Sequence, residues 1–136
     1  MSRVRILAID DDEAFLEELK ETLSLSGYDI TVFSKAEDAL VKINELNPQV
    51  LLLDLKMYPK SGFQIAEEIQ HFSGWSHFKG WKKMIVISMS GYFKEQKHQE
   101  IARDYGVRSF LTKPIHPTAL IELIERELSL QENSKN

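Results

Sequence analysis

The stretch Val50-Leu51-Leu52-Leu53-Asp54 decides the fold. Four consecutive apolar residues leave no polar face, the pattern of a central strand covered on both sides, as in a parallel sheet flanked by helices. The run then stops at a carboxylate. The same grammar recurs outward from it: Val4 to Ile9 stops at Asp10-Asp11-Asp12, Met84 to Met89 at Ser90-Gly91, and Val107 to Leu111 at Thr112-Lys113-Pro114. Asp29 to Phe33 reads as a further, more polar strand.

Between these runs the apolar residues take helical spacing. Phe15, Leu16, Leu19 and Leu23 lead to Gly27, placed where a left-handed residue ends a helix. Ser34-Lys35-Ala36-Glu37 has the form of a capping box, opening a helix with Ala39, Leu40 and Ile43 inward that stops before Pro48. Gly62 precedes Ile65, Ala66 and Ile69; Ile101, Ala102 and Tyr105 mark the buried face of a fourth helix closing at Gly106. Pro117 suits the first turn of a fifth, with Leu120, Ile121, Ile124 and Leu128 as its core stripe. Five strand-helix units in alternation predict an α/β protein with a parallel sheet.

The 136 residues fit one domain, read as residues 1–130 followed by a polar tail at 131–136 with no output domain attached. Seventeen Lys and Arg against 21 Asp and Glu give a net charge of −4, which argues against nucleic acid as a partner. There is no cysteine, so disulfides, thiolate metal sites and thiol nucleophiles are excluded. The apolar run after Met1 meets Asp10 too soon for a signal segment or a membrane span, and the expected location is the cytoplasm. Of the four histidines, His71 and His77 lack zinc-like spacing.

Right-handed crossovers bring all five strand ends to one edge, where open α/β sheets bind ligands. Asp10, Asp11, Asp54, Ser90 and Lys113 are expected to gather there, with Asp12 as a helix cap. Carboxylates so close repel one another, and oxygen-only ligation favours Mg²⁺, with Mn²⁺ as a substitute. A carboxylate beside a metal, a lysine and a hydroxyl is equipped to take a phosphoryl group.

These motifs resemble those of response-regulator receiver domains of two-component signalling, over about Arg3 to Leu130. The resemblance implies a three-layer, flavodoxin-like (βα)5 fold with strand order 2-1-3-4-5. It implies Asp54 as phosphoacceptor; Asp10, Asp11, Asp54 and the Lys56 carbonyl as metal ligands; Ser90 and Phe110 as switch residues, with Ser88 as the fallback; and Gly91 leaving space beside Ser90. Lys113 would pair with the phosphate, before a Lys113-Pro114 bond that is usually cis in the family. Lys56 and Tyr92 would border the attacking water and lengthen the phosphoryl lifetime. The implied partners are a sensor histidine kinase or histidine phosphotransfer protein and a downstream protein, engaged by a monomer or by a weak dimer through helix 4, strand 5 and helix 5. Such a chain is a signalling protein and not an enzyme in the ordinary sense.

Two departures stand out. Tyr58 follows Met57 where the family usually has Pro, which here comes one place later as Pro59, and the chain between Asp54 and Ser90 is longer than usual. The excess carries Phe72, Trp75, Phe78 and Trp81 at a spacing of three, which fits a satellite core or a docking surface. A haloacid-dehalogenase-like phosphatase, suggested by Asp10-x-Asp12, would leave Asp54 without a role; a receiver-like scaffold insensitive to phosphate is the other alternative.

Overall fold

The computed structural model describes residues 3–57, 60–71, 83–91 and 96–133. The elements alternate as the periodicity predicts: β1 (Arg5–Ile9), α1 (Glu13–Leu25), β2 (Asp29–Phe33), α2 (Ala36–Leu46), β3 (Val50–Asp54), α3 (Gly62–His71), β4 (Ile85–Ser90), α4 (Gln96–Asp104), β5 (Val107–Thr112) and α5 (Pro117–Asn133). All strand pairings are parallel, in the order β2-β1-β3-β4-β5. Every residue of β3 is buried, as its unbroken apolar run requires of a central strand.

Alternation along the strands splits the core in two. Leu7, Ile9, Leu51, Leu53 and Val86 meet Ala39, Ile43, Ile65 and Ala102 from α2, α3 and α4. On the other face Ile6, Ala8, Leu52, Ile85, Ile87 and Met89 meet Leu16, Leu19 and Leu23 of α1 and Leu120 and Ile124 of α5. The sheet is thus sandwiched between two helical layers.

The helix ends follow local chemistry. Asp12 caps α1, its side chain accepting from the Phe15 amide at 3.1 Å. At the other end Gly27 takes φ 92°, while the amides of Gly27 and Tyr28 donate to the carbonyls of Ser24 and Leu23, a Schellman closure. The capping box expected at Ser34 does not form. Lys35 occupies the cap position of α2 without a side-chain bond, and the Ser34 hydroxyl instead donates to Glu13 of α1 at 3.3 Å.

Three further expectations are corrected. Ile101 is 47% exposed; Ala102 is buried, and Tyr105 packs edge-on against Phe63 with centroids 5.6 Å apart. The α5 stripe is rotated toward Leu120, Leu123, Ile124 and Glu127, leaving Ile121 and Leu128 half-buried. Helix α5 also runs past Gln131 to Asn133, and the Gln131 amide donates to the Lys83 carbonyl, so residues 131–133 continue the domain. Among the described residues no helix is long and apolar enough to cross a membrane.

Candidate functional site

The register sets the site. Ile9 pairs with Leu53 and Asp54 with Met89, so the chain leaves β1, β3 and β4 at nearly one level. Asp10 and Asp54 occur one residue after Ile9 and Leu53, and alternation turns both toward the face occupied by α1 and α5. One carboxylate oxygen from each of Asp10, Asp11 and Asp54 can be chosen so that all lie within 4.8 Å of one another. Asp10 is 0% and Asp54 5% exposed, whereas Asp11 is open to solvent.

Lys113 enters from the end of β5. Its ammonium lies 2.6 Å from Asp10 Oδ2 and 3.8 Å from Asp54 Oδ2. Its backbone amide donates to the Ser90 carbonyl at 3.1 Å, and the Lys113-Pro114 peptide is cis. Among the described residues, Lys113 is thus in ion-pair contact with Asp10 and Asp54, and Asp11 adds a third carboxylate beside them. Burial and the neighbouring Asp10 charge push the Asp54 carboxyl up to about 7, despite opposing contributions from Lys113 and the hydrogen bond donated by the Lys56 amide at 3.1 Å.

A cleft of about 490 Å³ opens above Asp54, lined by Asp11, Asp12, Asp54, Lys56, Met57, Gly91 and Lys113. Gly62 packs against the backbone at the end of β3: its amide donates to the Leu55 carbonyl, and a Cβ there would lie 2.4 Å from the Asp54 carbonyl oxygen. Helix α3 can start against the end of β3 only through a residue without a side chain.

The site residues read from the sequence divide into two sets. Asp10, Asp11, Asp54, Lys56, Gly91 and Lys113 meet around the cleft. Ser90 is buried at the last position of β4, one residue beyond the partner of Asp54, while Ser88, also buried, pairs with Leu53 inside the sheet. Phe110 stands apart on the α4 side, half-buried, in register with Ser88, and beneath the Arg103 guanidinium at 5.1 Å. Tyr92, the Tyr58-Pro59 step and the Phe72 to Trp81 segment lie outside the described residues.

Two features were missed by the sequence reading. Phe15, read as core, has its ring centroid 4.7 Å from the Lys113 ammonium. Glu127, given no role from the sequence, is 6% exposed and accepts from the Ser109 hydroxyl at 2.8 Å, with the Arg108 guanidinium 3.4 Å away. Apolar patterning could have exposed neither, although Glu127 does fall on the i+3 and i+7 positions from Ile124 and Leu120.

Fold and site together define a doubly wound α/β protein with an acidic cleft at the carboxyl edge of its sheet. Comparison with known sequences gives the family: the response regulator receiver domain matches residues 6–125, and the chain belongs to it as a receiver domain of two-component signalling. An uncharacterized 14.6 kDa protein of Leptolyngbya boryana is 28% identical over 126 residues, covering 93% of this chain and 91% of that one. The transcriptional regulatory protein KdpE of Staphylococcus aureus is 34% identical over 127 residues, 90% of this chain but 50% of KdpE. Other curated relatives are likewise matched over about half their length or less. Among solved structures, a CheY-like receiver domain protein from Methanospirillum hungatei superposes with a TM-score of 0.82 at 28% identity, covering 98% of this chain and 99% of that one. Receiver domains are signalling proteins and not enzymes in the classical sense.

Proposed function

We propose that Asp54 is the acceptor of a phosphoryl group delivered from a phosphohistidine of a sensor kinase or a histidine phosphotransfer protein. The observation that carries this reading is the placement of Asp54 at the floor of an open cleft, with Asp10 and Asp11 beside it and Lys113 within 3.8 Å. In the transfer, an Asp54 carboxylate oxygen forms a bond to phosphorus as the phosphorus–nitrogen bond breaks, and the imidazole leaves with the bonding pair. Lys113 is placed to balance charge on the phosphoryl oxygens, and Ser90, at the last position of β4, is the candidate hydroxyl donor.

The donor set fits a hard divalent cation: oxygen ligands, surplus negative charge, and a carboxyl whose ionisation is held back by burial and by the neighbouring Asp10 charge. Asp10, Asp11, Asp54 and the Lys56 carbonyl would hold Mg²⁺ or Mn²⁺, which when bound supplies positive charge to the phosphoryl oxygens.

Phosphorylation then biases a two-state surface. Ser90 turns toward the new charge, Phe110 moves into the space vacated, and the face formed by α4, β5 and α5 changes its fit to a protein partner. The half-buried position of Phe110 between sheet and α4 supports such a role. The carboxylate-rich cleft does not favour nucleic acid as the partner.

Incubation with acetyl phosphate and Mg²⁺, followed by mass mapping, tests the reading. One phosphoryl group on Asp54, absent from Asp54→Asn, is the expected result. Labelling elsewhere, or an unlabelled wild-type chain, contradicts it.

A further inference from the structure

Four contacts close a ring around one side of the cleft. Asp10 Oδ1 accepts from the Asp12 amide at 3.0 Å, and Asp12 Oδ1 accepts from the Phe15 amide at 3.1 Å. The Phe15 ring lies against the Lys113 ammonium at 4.7 Å, and that ammonium returns to Asp10 Oδ2 at 2.6 Å. The first turn of α1 is thereby tied to the same carboxylate that anchors the lysine, and its aromatic side chain covers part of the cation. We infer that Phe15 is a positioning residue that seats the Lys113 ammonium between Asp10 and Asp54.

The physical need is plain. A lysine has a long flexible stem and a strongly hydrated head, and the Lys113 side chain is 25% exposed, so solvent competes for it. Hydrogen bonds to Asp10 fix the head on one side only. An aromatic face attracts a cation through its quadrupole without offering an acceptor that would compete with a phosphoryl oxygen. Phe15 can therefore restrict the lysine while leaving its protons free to exchange between carboxylate and phosphoryl partners. Half-buried against the α1 and α5 core cluster, the ring cannot readily swing away.

The catalytic side of this inference rests on Asp54 being the phosphoacceptor; the seating does not, and two readouts keep them apart. In the full chain without phosphodonor, ring-current shielding should move the Lys113 ε-methylene protons upfield of those of the other lysines. Phe15→Leu should abolish that shift and Phe15→Tyr should keep it. In Mg²⁺ and acetyl phosphate, Phe15→Leu should label Asp54 about two- to five-fold more slowly, the factor expected of a cation–π contact at a partly exposed site. A fluorinated phenylalanine at position 15, which keeps the shape and weakens the quadrupole, should fall between the two and guards against misfolding of the leucine variant. An unshifted Lys113 in the wild type overturns the inference, as do leucine and fluorinated variants that label at the wild-type rate or faster. A shifted Lys113 in a wild-type chain that accepts no phosphoryl group supports the seat and contradicts the phosphoacceptor reading.

Discussion

Two buried carboxylates in this molecule are partnered in contrasting ways, Asp54 on β3 and Glu127 on α5. Glu127 is satisfied locally: the Ser109 hydroxyl donates to one oxygen and the Arg108 guanidinium approaches the other. Asp54 shares Lys113 with Asp10, sits beside a third carboxylate, and has its ionisation pushed up to about 7. A charge paired inside the fold fixes structure, whereas a surplus left at a cleft is a demand for something from outside. The two side chains are comparably buried, although Asp54 borders the open cleft, so pairing separates them more than exposure does.

Removing the paired carboxylate should have the larger effect on stability. Glu127→Ala leaves the Ser109 hydroxyl buried without its acceptor and should cost about 3 kcal/mol, measured by urea unfolding. If it costs nothing, Glu127 is not a structural pair and the comparison breaks on that side.

Asp54→Asn should act in the opposite direction. A carboxyl raised from 3.8 to about 7 binds more protons in the folded than in the unfolded state, so its contribution is fully present below pH 3.8 and is lost as pH rises through 7. In chelator at pH 8 the wild type therefore carries the penalty, and Asp54→Asn should be more stable by about 2 kcal/mol once screening in the open cleft is allowed for. Near pH 4 the difference should shrink toward zero. A variant less stable than wild type at pH 8 would mean that Lys113 already neutralises the cluster.

The smallest effect sharpens the boundary between the two roles. Asp12 borders the cleft but caps α1, so Asp12→Ala should lose about 1 kcal/mol of stability while Asp54 still accepts a phosphoryl group. Loss of labelling at unchanged stability would move Asp12 from the helix into the site.

The legible half of this contrast was the placement of the cluster around Asp54. Asp10, Asp54, Ser90 and Lys113 follow apolar runs, and parallel topology carries every strand end to the same edge, so spacing along the chain was enough to assemble them. Glu127 was illegible because its partners, Ser109 and Arg108, belong to β5 and not to its own helix. The Ser34 capping box failed for a similar reason: the hydroxyl had a competing partner in Glu13, a residue of another helix. Ile101 was assigned inward by apolarity alone, yet the sheet face beneath α4 is filled by Ala102 and the Tyr105–Phe63 pair. Local chemistry read correctly wherever no distant residue competed for the same group.

The central claim is that the surplus charge around Asp54, and not buried charge in general, defines the site. Thermal unfolding with and without Mg²⁺ at pH 8, run side by side on wild type, Asp54→Asn and Glu127→Gln, tests it most directly. A cation bound only by the folded cluster raises the unfolding midpoint, by a stabilisation that grows with the logarithm of the free cation concentration once it exceeds Kd. Mg²⁺ should raise the midpoint of the wild type and of Glu127→Gln, and should raise that of Asp54→Asn much less. Equal shifts in all three, or none in the wild type, would contradict the account.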